Sequence, residues 1–141
     1  GAAMEWFLVW LSTLASLLAS DELRWAGELG DLDGVRAKAF ATADPDLLDR
    51  VYVAGSAALD ADAAMIRAYE QRGARVTGAE LLVLSCRVRD ASAERIRLEV
   101  IDRLAPARVV WADGTSRALP RDLPTKRTVT LVRTADGWRI S

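Results

Sequence analysis

The sequence predicts an α+β fold, with N-terminal helices packed in a strongly curved antiparallel sheet. Three observations predict it. Residues 21–73 carry apolar side chains at helical spacing, interrupted at Gly30, Asp44-Pro45 and Gly55. Residues 79–104 then alternate as two long strands joined at Asp90-Ala91-Ser92-Ala93. After Pro106 come short β-rich runs separated by Asp113-Gly114 and Asp136-Gly137. At 141 residues the chain is long enough for one domain with a real core.

Residues 1–20 stand apart from that domain. Gly1-Ala2-Ala3 before Met4 reads as a cloning remnant. Trp6 to Ala19 is almost wholly apolar and predicts an additional hydrophobic helix, roughly 21 Å long. A membrane span needs about 20 apolar residues. No Lys or Arg precedes Arg24, and the flanks Glu5, Asp21 and Glu22 are acidic. The segment reads as a helix buried in the domain or covered by a partner. The other readings are a short membrane anchor, a truncated export segment or an engineered element.

The domain is expected to span residues 21–141. Ser20 or Asp21 caps a helix through Leu23 and Trp25. Gly27, Gly30 and Gly34 each cost about 1 kcal/mol in a helix interior, so a break is expected near Gly30-Asp31. Leu32, Val35, Ala39 and Ala43 resume the helical spacing. Asp31-Leu32-Asp33-Gly34 opens like a calcium loop, but the later acidic ligands are missing. Asp44-Pro45-Asp46 begins a short helix with Leu47, Leu48, Val51 and Tyr52 inward. Asp60 or Asp62 caps a third helix carrying Met65, Ile66 and Tyr69, and Gly73 ends it.

In the hairpin, Leu82, Leu84, Cys86 and Val88 share one face with Ile96, Leu98, Val100, Asp102 and Leu104. Leu81, Val83 and Ile101 then make the opposite, outward face apolar at one end. Two registers are open. Pairing centred on Ser92 sets Arg87 against Arg97, an unfavourable like-charge pair. A two-residue shift sets Arg87 against Glu99 and keeps every face. Strands follow at residues 107–112, 115–119, 126–134 and 138–140.

About half the residues are hydrophobic (51%), 28% are charged and the net charge is −1. No Lys/Arg block occurs, which argues against nucleic acid. A single cysteine excludes an internal disulfide. With no histidine, the usual zinc sites and Ser-His or Cys-His nucleophiles are out. No metal and no cofactor is therefore expected, and general acid–base work falls to a carboxylate, Tyr, Lys or the cysteine.

The stretches RAKAFATADPDLLDRVY (36–52), AMIRAYEQRG (64–73), the hairpin and TLVRTADGWRIS (130–141) resemble the NTF2-like superfamily. That superfamily has the cone fold of ketosteroid isomerase and SnoaL-like cyclases. The likeness covers about residues 31–141, and its style is that of actinobacterial members, many of which are extracytoplasmic. It implies a pocket at the cone's open end where family enzymes place a carboxylate, a Tyr or an acidic donor. Asp102 fits by facing, and Tyr52 and Tyr69 are the available phenols. Cys86, Leu98, Val100, Trp111, Arg133 and Trp138 are the candidate pocket-lining residues, with Arg133 a candidate partner for Asp102. Against catalysis, no acid stands in VYVAGS (51–56), where a ketosteroid-isomerase pattern would place one.

The favoured function is a non-catalytic domain binding a small apolar ligand or a protein partner, at a cell envelope if the resemblance extends that far. The alternative is a cofactor-free isomerase, cyclase or dehydratase acting on a hydrophobic carbonyl compound. Trp6, Phe7, Trp10, Leu14 and Leu17 form an apolar stripe. With Leu81, Val83 and Ile101 on the outer sheet face, they predict a homo-oligomer interface.

Overall fold

A computed structural model describes residues 2–141, with side chains described from residue 21 onward. The side chains of the N-terminal stripe, Trp6, Phe7, Trp10, Leu14 and Leu17, lie outside the described residues; the backbone of residues 2–20, where an additional helix was expected, is helical. Among the described residues, no helix is long and apolar enough to cross a membrane.

The order is helices first and antiparallel strands after, the α+β class expected. Helix α1 (Ala2–Thr42) is followed by a 3-10 turn (Pro45–Arg50) and α2 (Ala57–Gln71). Strands β1 (Ala74–Thr77), β2 (Leu81–Ala91), β3 (Arg95–Leu104), β4 (Arg108–Trp111), β5 (Ser116–Ala118), β6 (Thr125–Thr134) and β7 (Gly137–Ile140) complete the chain. The strands form two sheets rather than one, ordered β1-β4-β5 and β2-β3-β6-β7. Strand β1 was not foreseen. It pairs with β4, so that Ala74 faces Trp111.

The break expected near Gly30 is absent, because α1 runs through all three glycines. Trp25, Leu29, Leu32, Ala39 and Phe40 are buried along it. Burial of side chains of this size is worth about 1.5–3 kcal/mol each, more than the glycines cost. The helix ends at Ala43, which takes a left-handed φ of 51°. Asp44 then caps the 3-10 turn by accepting from the Asp46 N–H. Ser56, not Asp60 or Asp62, caps α2, accepting from the Ala58 N–H. Met65 is half exposed, while Ala63 and Ile66 are buried.

The hairpin takes the register that sets Arg87 opposite Glu99. Two bulges, at Leu84 and at Arg89, interrupt it. A bulge adds one residue to one strand and so reverses the facing beyond it. Cys86 and Val88 pair with Val100 and Leu98 on the inner face, as expected. Beyond Leu84 the facing reverses: Val83 pairs with Asp102, and Leu81 with Leu104, on that same inner face. The outward patch of Leu81, Val83 and Ile101 is thereby corrected. Leu82 and Leu84 are the exposed residues of this end, with Ile101 half-buried beside them.

The core lies between α1, the 3-10 turn and the four-stranded sheet. Leu98, Val100 and Leu131 are fully buried there, with Leu48 and Val51. Strand β7 locks the 3-10 turn to the sheet. Val53 N–H donates to the Ile140 carbonyl and Ile140 N–H to the Val51 carbonyl, both at 2.8 Å.

Candidate functional site

Three charged residues are buried among the described residues: Asp33, Asp62 and Asp102. All three line one cavity of about 850 Å³ between α1, the 3-10 turn, the start of α2 and one end of the four-stranded sheet. Leu29, Leu81, Leu104, Leu119, Val129 and Ile140 supply its apolar walls.

On the helical wall, Leu29, Asp33, Arg36 and Phe40 recur at spacings of four, three and four along α1, which places them on one face. Arg36 forks onto Asp62 of α2, with Nε to Oδ2 at 2.6 Å and Nη2 to Oδ1 at 3.1 Å. Its guanidinium lies 5.0 Å from the centre of the Phe40 ring. The Tyr52 hydroxyl donates to the same Oδ2 at 2.6 Å. Burial pushes the Tyr52 phenol up to about 12, and its bond to Asp62 adds to the shift. Burial works against the Arg36 charge, but the Asp62 carboxylate outweighs it and raises the pKa further.

On the sheet wall, β3 and β6 pair Val100 with Arg127 and Leu98 with Val129. Arg127 therefore enters the inner face one diagonal step from Asp102. Its Nε and Nη2 both reach Asp102 Oδ2 at 2.8 Å. Arg127, not Arg133, is the partner of Asp102. Between the two walls, Asp33 Oδ2 accepts the Leu81 backbone N–H at 2.7 Å, which ties α1 to the start of β2. Asp33 Oδ1 is buried without a partner. Burial raises the Asp33 pKa; the Leu81 N–H and the charges of Arg36 and Arg127 pull the other way.

Of the candidate catalytic residues, Asp102 and Tyr52 share this cavity, though each bonds to a different residue. Tyr69 packs half-buried against the core and is not part of the cavity wall. Of the six candidate lining residues, none lines it. Leu98 and Val100 are sealed in the core beneath. Trp111 belongs to the smaller sheet. Cys86 sits in a shallow hollow with Glu22, Leu23 and Ala26, where burial, and then Glu22, pushes its thiol up. Arg133 and Trp138 share a third hollow with Arg24 and Trp25, and the two indoles meet edge-to-face with centroids 4.8 Å apart.

Asp33, Arg36, Asp62 and Arg127 were missed. Their signal is a charged residue at a position the apolar period claims. Asp33 and Arg36 interrupt the stripe of α1, Asp62 stands four residues before Ile66, and Arg127 alternates with Val129 and Leu131. The expected break at Gly30 concealed the first two.

No protein-family model and no curated protein matches the sequence. Solved structures do match. The intermembrane-space region of the chloroplast protein ARC6 is 14% identical over 84% of this chain and 91% of its own, with a TM-score of 0.54. A protein from Kribbella flavida is 21% identical over 87% of this chain and 88% of its own, with a TM-score of 0.51. These likenesses establish a shared fold.

Proposed function

We propose that this chain is an NTF2-like domain that binds a small amphiphilic molecule in the cavity, without catalysing a reaction on it. The observation that supports this reading is the convergence of the buried charged residues on one cavity with apolar walls. Ligand pockets typically measure about 300–1,000 Å³ and combine apolar walls with a few polar groups. The present cavity has that size and that make-up.

A second reading, a cofactor-free isomerase, cyclase or dehydratase acting on a hydrophobic carbonyl compound, draws on Tyr52 and Asp102 sharing the cavity. It fits less well. The Tyr52 hydroxyl is committed to Asp62, and burial pushes its pKa up to about 12, further from the range of a general acid or base at neutral pH. Asp102 is held through Oδ2 by Arg127 and shares no hydrogen bond with Tyr52, so the two do not act on each other as an acid–base pair. Assembly over the outer sheet face, where it occurs, would use Leu82, Leu84 and Ile101.

Nile red, a neutral apolar dye, tests the binding reading. It is expected to bind the full chain with enhanced fluorescence. Replacing the wall residue Leu119→Trp should weaken binding by about tenfold or more while leaving the melting temperature nearly unchanged. Equal binding to both proteins would place the dye elsewhere and remove the support for the cavity as a ligand site.

A further inference from the structure

Of the carboxylates that line the cavity three are buried, and Arg36 and Arg127 pair with two of these, which leaves one buried carboxylate over. Asp62 is held by Arg36 and Asp102 by Arg127. Asp33 has only the Leu81 N–H, on Oδ2. The residue is 7% exposed and lines the cavity. Burying a carboxylate oxygen without a partner is unfavourable. Nor does the tie to Leu81 require an acid, since the amide oxygen of Asn would accept that N–H equally well. A residue that costs stability and exceeds what its structural contact needs is best accounted for by something it binds.

We propose that the cavity takes a cationic amphiphile, a protonated amine on a compact apolar body, with its ammonium group docked against Asp33. The proposal rests on the reading of the cavity as a ligand site. An anionic head group has no comparable place: Arg36 and Arg127 each already answer a carboxylate, and Arg121, the third guanidinium of the lining, is exposed, so an anion there would stay in water. Asp33 Oδ1 is covered by the surrounding protein, so docking turns the carboxylate towards the ligand. The apolar body then lies against Leu29 and Leu81 and closes the site off from water. Away from water the ion pair is stronger and less sensitive to salt than a surface pair.

Three probes with one body and different head groups separate the outcomes: cyclohexylmethylamine, cyclohexylmethanol and cyclohexanecarboxylate. Binding to the full chain is followed by NMR titration, with the side-chain carboxyl carbon of Asp33 as the reporter. The amine should bind about tenfold or more tighter than the alcohol, as a charge-assisted hydrogen bond implies, and the carboxylate should bind weakest. The Asp33 carboxyl resonance should move with the amine and stay put with the alcohol. Asp33→Asn should remove the preference for the amine while leaving the alcohol's affinity within about twofold. Alcohol binding as tight as the amine, or a preference that survives Asp33→Asn, would overturn the docking at Asp33 and leave the cavity reading intact. If none of the three binds, the cavity reading falls, and this proposal with it. Should the variant fail to fold, the wild-type carboxyl resonance still decides the point.

Discussion

The two walls of the cavity each bury a carboxylate against an arginine, yet they do so differently. On the helical wall Asp62 is saturated. Both its oxygens take a guanidinium N–H, and one also takes the Tyr52 hydroxyl. The Arg36 side chain is 21% exposed. On the sheet wall both guanidinium bonds fall on a single oxygen of Asp102, and the Arg127 side chain is 40% exposed. The first is a network centred on Asp62 that joins α1, the segment just after the 3-10 turn and α2. The second is a hinged pair whose cation already stands partly in water. The difference teaches which wall holds the cavity's shape: the helical one, because Asp62 is the shared acceptor and its removal strands two partners at once. Between them Asp33 belongs to neither network.

The largest expected effect comes from removing the centre of the helical-wall network. Asp62→Ala leaves the Arg36 charge and the Tyr52 hydroxyl without their shared acceptor. A loss of about 3 kcal/mol in urea-unfolding stability is expected, at the low end for a broken buried pair because Arg36 retains some access to water. Next comes Asp102→Asn, for which the same measurement should show a loss of about 1–2 kcal/mol, since Arg127 can turn to solvent and the amide oxygen still accepts. Equal losses from the two substitutions would show that the walls are equivalent and that the distinction drawn here is wrong.

The smallest effect is a pH dependence at Asp33, and its sign is the informative part. The folded protein holds the Asp33 proton to higher pH than the unfolded chain does, because burial raises the pKa. The associated stability is fully present below the unfolded value of 3.8 and is lost as pH rises through the folded value. Asn stays neutral throughout. Asp33→Asn should therefore melt at or above the wild-type temperature at neutral pH, and the gap should close as the pH falls. A variant that melts lower at neutral pH and recovers on acidification would mean that Asp33 is stabilised as a carboxylate by its neighbours. It would then belong to the walls after all.

Much of the architecture was legible from single residues. Asp44-Pro45 marks a helix boundary because the residue before proline avoids the helical region, and the 3-10 turn begins at Pro45. Asp113-Gly114 and Asp136-Gly137 mark turns because glycine tolerates a positive φ, and Gly114 and Gly137 have φ of 87° and 121°. Arg87 opposite Glu99 was one of two registers that the alternation allowed. The site was legible only in part. Tyr52 and Asp102 were found because each stands on an apolar face. Asp33 and Arg36 stand on one too, but three glycines made their helix look broken.

The sequence by itself determined the class of fold, the order of its elements and the chemistry available to it. These follow from local preferences: period, turn residues, and the absence of histidine. The tertiary structure decided the continuity of α1, which face of β2 turns inward beyond Leu84, and which arginine meets which carboxylate. Each of those depends on contacts between residues far apart in the chain. A bulge is one residue counted against a partner strand, and the Arg36–Asp62 and Arg127–Asp102 pairs span 26 and 25 positions. Local propensities of about 1 kcal/mol or less per residue yield to packing energies larger than themselves.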